Sequence, residues 1–154
     1  MEVRNLKVKV VCKKELQKEL EERLKKAGFQ ISMDADFVLK EVDYKQLGFL
    51  GQKDDAYTLI TYQDILYIEA FDHDVFLKTM SASYKIKEKL YEIALLLEDE
   101  GFVRINKSQV VNIKAIKSMI PSFNSRMNIL MKNKDMLYVS RNYLANFKES
   151  IGFK

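Results

Sequence analysis

The sequence predicts an α+β protein: a small β-α-β-β unit over residues 1–47, followed by a strand-rich region over residues 48–154. Three observations carry this. Apolar residues alternate at first, then recur every fourth position, then alternate again through a series of short segments. Gly, Asp and Asn punctuate those segments at intervals too short for helices. Helical spacing returns after residue 48 only over 87–98 and 141–151.

Residues 6–12 alternate for most of their length and read as a strand. Over 13–27 the period changes: Leu16, Leu20 and Leu24 form one stripe, and Glu21–Lys25 and Glu22–Lys26 are acid-first pairs that favour a helix. Gly28 is the expected C-terminal cap. Phe29–Met33 and Phe37–Val42 then read as two strands around an Asp34-Ala35 turn. A unit this small is expected to dock on the remainder instead of folding alone. Cys12, the single cysteine, ends an apolar run and reads as a small core residue.

Gly48 and the run 51–55 mark a junction and a turn. Tyr57–Thr61 is a strand, and the continuous apolar run Ile65–Glu69 a central one. Phe71-Asp72-His73-Asp74 turns the chain into a hairpin completed by Val75–Thr79. After a short strand at Tyr84–Ile86, a helix over 87–98 buries Ile86, Leu90, Ile93, Ala94 and Leu97 and ends at Gly101. Strands follow at 102–105, 109–111 with 115–120, 127–131 and 136–140, with Pro121 and 122–125 as a loop. Tyr143, Leu144, Phe147 and Ile151 give a final helical turn or two.

The length fits one medium domain, or one domain with a small extension, and 47% hydrophobic residues are enough for a core. No apolar run approaches the roughly 20 residues of a membrane span, so no membrane insertion is expected. The first residues lack a signal-peptide layout, and one cysteine cannot form an internal disulfide; both lead us to expect a cytoplasmic protein. Residues 1–100 hold 16 Lys/Arg against 20 Asp/Glu, a net of −4. Residues 101–154 hold 10 against 2, a net of +8, which suits a polyanionic partner.

Within that basic third, Phe102–Asn112 interleaves two rows. Phe102, Ile105, Val110 and Val111 are apolar anchors, whereas Arg104, Asn106, Lys107, Ser108, Gln109 and Asn112 carry donors, with no acid among them. Such a segment suits an anionic ligand with hydrogen-bonding base edges. An ordinary half-buried strand with a solvated face has the same pattern. Catalysis is not expected: nucleotide-loop and nucleophile-elbow motifs are missing, and His73 is the one histidine. One His and one Cys are too few for a transition-metal site, so neither metal nor cofactor is expected.

Taken together, three segments resemble the LytTR family of bacterial DNA-binding domains. The matching features are Asp64-Ile65-Leu66-Tyr67-Ile68-Glu69-Ala70 followed by His73; Phe102-Val103-Arg104-Ile105-Asn106-Lys107-Ser108; Val110-Val111-Asn112 with Ile116; and Val139-Ser140-Arg141. They fall in order over residues 50–153. The resemblance implies an elongated, predominantly antiparallel β fold with one short helix, whose loops enter successive major grooves. It implies base contacts from His73, Lys107 and Arg141, with Asn106, Ser108, Ser140 and Asn142 as phosphate or secondary contacts. Asn106 stands where the family often has histidine.

The chemistry of these side chains fits. Arg141 can grip guanine O6 and N7 bidentately, and Lys107 can donate to the same edge. His73 can donate one bond while neutral, or bind phosphate if protonated. Arg104, Lys114, Lys117, Arg126, Lys132 and Lys134 would supply salt-dependent background affinity. Alternatives stand beside these roles: Arg104 could bridge to an acid such as Glu69, Asn112 could cap backbone, and Arg141 could cap the last helix.

The expected function is therefore sequence-specific regulation of transcription on promoter double-stranded DNA, as a homodimer. The 47 N-terminal residues are too few for a phosphoacceptor receiver domain, on the order of 120 residues. They are expected to dimerise, or to contact an inhibitor or co-regulator. Two other readings remain: an RNA-binding protein, which needs stacking aromatics that the alternation places mostly in the interior, and a degenerate LytTR-like protein-interaction module.

Overall fold

The computed structural model describes residues 5–32, 34–42, 44, 46–124 and 126–153. Met33 and Ser125, at the ends of a predicted strand and a predicted loop, lie outside them. Among the described residues the chain forms three α-helices and three β-sheets, in two compact units, Met1–Gln46 and Leu47–Lys154.

In the first unit, β1 (Lys7–Val11) leads into α1 (Lys14–Lys26), which returns the chain to β2 (Gln30–Ile31), and β3 (Phe37–Lys40) follows. Both β2 and β3 run parallel to β1, one on each side. The two strands expected around Asp34-Ala35 therefore make no hairpin. The backbone of the linker explains why: Ser32 N–H donates to Val8 O (3.1 Å) and Asp36 N–H to Lys7 O (3.0 Å), so the chain crosses from one edge of β1 to the other. The helix ends as its sequence predicts. Gly28 adopts φ +97°, and Phe29 N–H and Gly28 N–H close on the carbonyls of Leu24 and Lys25 at 3.0 and 3.1 Å. Glu19 and Arg23 pair at 3.0 Å along the helix, again with the acid first. The leucine stripe is only partly covered, Leu16 being 40% exposed. Cys12 is buried, and burial first, then Glu41, Glu21 and Glu15, push its thiol pKa up, which suits a core thiol and not a nucleophile.

The second unit is antiparallel throughout. Its larger sheet contains β4 (Gly48–Lys53), β5 (Ala56–Thr61), β6 (Tyr67–Phe71), β7 (Asp74–Lys78), β8 (Ser83–Ile86), β9 (Phe102–Asn106) and β10 (Gln109–Asn112). Their order is β5-β4-β8-β7-β6-β10-β9. A smaller sheet orders β11 (Ile116–Ser122), β12 (Arg126–Met131) and β13 (Met136–Val139) in sequence. Two helices accompany them, α2 (Leu90–Leu96) and α3 (Arg141–Ser150).

Three expectations need correction. Gly48 and Gly51 belong to a strand, not a junction, and only Asp54-Asp55 turns. A Cβ on Gly48 would meet Ile60 O at 2.2 Å, and one on Gly51 would meet the Tyr84 Cβ at 2.6 Å. Those glycines serve close backbone approach. Pro121 lies inside β11, which is possible because β11 is an edge strand that need not donate on its outer side. The helix expected over 87–98 is shorter: α2 has 7 residues, since Lys87–Lys89 stay outside it, while α3 has 10. Gly101, at φ +84°, ends the helical segment as expected.

The central strands of the larger sheet are buried on both faces, which accounts for the continuous apolar run at the start of β6, whereas the edge strand β5 is largely exposed. Ile68, Leu77, Phe102 and Val110 pack with Leu90, Ile93 and Leu97 of the α2 segment. Tyr67, Val103, Ile105 and Val111 pack with Met127, Ile129, Leu137, Val139 and Phe147 from the smaller sheet and α3. One polar tie crosses this second layer: the buried Tyr67 hydroxyl donates to Asp135 Oδ2 at 2.8 Å, where Asn133 Nδ2 also donates. Burial first, then Asp135, hold the Tyr67 phenol well above its ordinary pKa. An unfolded tyrosine ionises near pH ~10 while the folded one does not, so this stabilisation is complete below pH ~10 and is lost as pH rises further. Tyr67→Phe should cost about 1–3 kcal/mol at neutral pH in urea unfolding, and the gap from the parent should narrow above pH ~10. A gap that stays constant to pH ~11 would contradict this account.

Candidate nucleic-acid interface

The turns that carry the candidate reading residues emerge at one end of the larger sheet, and strand register dictates this. Phe71 pairs with Asp74 across the Asp72-His73 turn. Gln109 pairs with Glu69 of β6 and with Asn106 of β9, so the Lys107-Ser108 turn lies beside the end of β6. Ala70 N–H donates to Ser108 O at 2.8 Å and joins the two turns. On the other side, Ser140 N–H donates to Ile105 O at 2.9 Å, which sets the start of α3 beside the end of β9.

His73 is almost fully exposed, its Nε2 lying 3.9 Å from Asp72 Oδ1, and Asp72 takes the left-handed φ of +59° that the tight turn requires. Lys107 and Ser108 are exposed at the tip of their turn. Ser140 is the N-cap residue of α3, but its hydroxyl makes no capping bond, and Arg141 and Asn142 are exposed in the first helical turn. Arg141 has no acceptor with which to cap backbone N–H groups. A cation at a helix N-terminus also opposes the helix dipole, and no acid occupies that turn to offset it. The alternative of a capping arginine therefore falls, and the start of α3 presents concentrated positive potential.

Asn106 is put to a different use from the one expected. It is 4% exposed, and its amide is committed: Nδ2 donates to Gln109 Oε1 (2.8 Å) and to Tyr138 O (3.0 Å), while Oδ1 accepts from Ser108 N–H (2.8 Å). Gln109 Nε2 continues the chain to Glu69 Oε1 at 2.8 Å. This network runs under the turns from β13 through β9 and β10 to β6, and it fixes the shape of the Lys107-Ser108 turn. Arg104 does not bridge to Glu69 as considered from the sequence. Its guanidinium donates to Asn106 O (Nε, 3.2 Å) and Lys107 O (Nη2, 2.7 Å) and lies 5.8 Å from the Tyr143 ring. Asn112 is buried and ties backbone, accepting from Lys114 N–H and donating to Ile65 O, as expected.

The background cations do not share one end of the unit. Arg126 begins β12, next to the Met127–Val139 pair, and its guanidinium stacks 5.7 Å from the exposed Tyr138 ring at the end that carries Arg141. Lys117 is the second residue of β11, and Lys132 and Lys134 occupy the β12–β13 turn at the opposite end. Lys114 and Lys132 line a groove of about 880 Å³ there, with Asp64 and Glu100. Most aromatics are at least partly covered, as expected, but Phe71 is 71% exposed and Tyr138 46% exposed, both at the end that carries His73 and Arg141. Sequence reasoning passed over Phe71 and Tyr138 as exposed aromatics; the position of Phe71 immediately before the Asp-His turn was the available signal for the first.

The LytTr DNA-binding domain family matches residues 55–152. The chain belongs to the LytTR family. Among relatives, the sensory transduction protein LytT of Bacillus subtilis is 35% identical over 95 residues, 62% of this chain and 39% of that protein. An HTH-type transcriptional regulator of Staphylococcus aureus is 28% identical over 102 residues, 66% of this chain and 69% of that protein. The chain thus spans about two fifths of the length of the LytT proteins it matches. The solved LytTr DNA-binding domain of a Bacillus cereus response regulator superposes with a TM-score of 0.67 at 25% identity, covering 70% of this chain and 99% of that one. The LytTR domain here is thus a β-rich DNA-binding domain in both sequence and fold. Among the described residues, no helix is long and apolar enough to cross a membrane.

Proposed function

We propose that this LytTR protein is a sequence-specific transcription regulator that reads the major groove of promoter DNA through three loops. His73, Lys107 and Arg141 supply base contacts, and Ser108, Ser140 and Asn142 supply phosphate or secondary contacts. What supports the reading most is the backbone bonding of Ala70 to Ser108 and of Ile105 to Ser140, which holds the three loops at one end of one sheet. The protein acts in the bacterial cytoplasm as a homodimer, without enzymatic activity. Exposed Phe37, Leu39 and Val42 on the small N-terminal unit support its use for self-association or for contact with an inhibitor or co-regulator.

Selecting duplexes from a random pool with the full chain should yield one enriched sequence; no enrichment would overturn the reading. The exposed Phe71 and Tyr138 favour a second reading, in which single-stranded RNA stacks on these rings. RNA of the same sequence should fail to displace the selected duplex; displacement at equal concentration would favour the RNA reading.

The two groups of cations give a sharper test. Arg126→Ala should weaken selected and scrambled duplexes equally and reduce the slope of log affinity against log salt by about 1. Lys132→Ala, at the far end, should change both much less. Equal effects from the two variants would mean that DNA does not lie where we place it.

A further inference from the structure

Arg104 looks at first like one more cation for the phosphate backbone, but its bonds point inward. Two guanidinium nitrogens close on consecutive carbonyls of the Lys107 turn, at 3.2 and 2.7 Å, and the same group faces the Tyr143 ring of α3 at 5.8 Å. Tyr143 lies two residues beyond Arg141 in the same helical turn, and Tyr143 N–H closes that turn on Ser140 O at 3.0 Å. One planar cation therefore touches both the backbone under Lys107 and the first turn of α3. The Asn106 side chain accepts from Ser108 N–H within the same turn, and the Arg104 bonds to Asn106 O and Lys107 O add to that hold.

We infer that Arg104 is a positioning residue that locks the Lys107 loop and the Arg141 helix start into a single reading unit, and is not itself a ligand of DNA. The inference rests on the three-loop reading and deepens it. Arginine suits the task because its rigid fork can meet two carbonyls while its face packs on a ring; lysine, a point charge on a flexible stem, cannot do both. With the clamp intact, the spacing between the Lys107 and Arg141 side chains is set before DNA arrives, and the ordering cost on binding is small. With the clamp lost, each side chain can still reach a base, but not both at the required separation.

The test uses the full-length chain, the duplex selected from a random pool and a scrambled duplex. Arg104→Lys keeps the charge and should lower the preference for the selected duplex by about tenfold while leaving the salt slope unchanged. In a double-mutant cycle with Lys107→Ala the losses should fall well short of multiplying, because removing Lys107 leaves the clamp little to position. Arg104→Gln should behave like Arg104→Lys; should it fail to fold, the lysine variant decides alone. A salt slope reduced by about 1 in Arg104→Gln, unchanged preference, or losses that multiply would make Arg104 an ordinary phosphate contact and overturn the inference. A DNA-free readout separates this failure from failure of the functional reading. In Arg104→Lys the amide resonances of Lys107 and Ser108 and the ring resonances of Tyr143 should shift together. If they stay in place, the clamp does not exist, whether or not the parent protein discriminates between duplexes.

Discussion

Arg141→Ala is expected to remove most of the discrimination between the selected duplex and a scrambled one, a loss of about 1–3 kcal/mol, or roughly 5- to 150-fold. The residue is exposed at the first position of α3, where neither the helix dipole nor any neighbouring acid rewards a cation. Its removal should leave thermal stability unchanged or raise it by up to about 1 kcal/mol. The combination is diagnostic: a residue placed for recognition lowers selectivity without lowering stability. The measurement is a fluorescence titration of both duplexes at several salt concentrations, paired with a thermal melt. Retained selectivity in Arg141→Ala would place the reading surface elsewhere on the domain.

Phe147→Ala is expected to have the largest effect on the fold, about 3–5 kcal/mol in urea unfolding. Phe147 is fully buried in one cluster with Val103, Ile105, Ile129, Leu137 and Val139, which anchors α3 to the layer beneath it. Against a domain stability of about 5–15 kcal/mol, such a loss leaves a large unfolded fraction under mild denaturant. Because α3 carries Arg141, selectivity should fall along with stability. Phe153→Ala, whose ring is 47% exposed beside Lys148, is the control and should cost less than about 0.5 kcal/mol. Comparable losses for the two variants would show that α3 is not held by the packing described here.

Much of the fold was legible because the strands of the second unit obey local rules. The Ile65–Glu69 run and the Asp72-His73 turn identified the central hairpin, and the spacing of Leu90, Ile93 and Leu97 identified the face that α2 buries. The failures share a cause. Gly48, Gly51 and Pro121 carry local signals for turns, yet each sits in a strand because of a neighbour remote in sequence: the Ile60 backbone, the Tyr84 side chain, and an open sheet edge. The Asp34-Ala35 turn likewise does not join paired neighbours, because β1 lies between both flanking strands. Local propensity cannot encode a partner it does not contain.

The sequence by itself determined the family, the strand-rich class, the position of the basic third and the candidate residues His73, Lys107 and Arg141. These follow from motif order, periodicity and charge, all of which are properties of the linear chain. Only the tertiary structure decided which polar residues face outward and which hold the frame. Asn106 and Arg104 carry donors as the candidate contact residues do, but their partners include backbone carbonyls supplied by Tyr138, Asn106 and Lys107. The cations divided in the same way, Arg126 to the end that carries Arg141 and Lys132 and Lys134 to the other, because strand direction alone sets which end of a sheet a turn occupies. A donor's role depends on whether folding brings an acceptor to it, and that is fixed by register and packing between segments that lie far apart in the sequence.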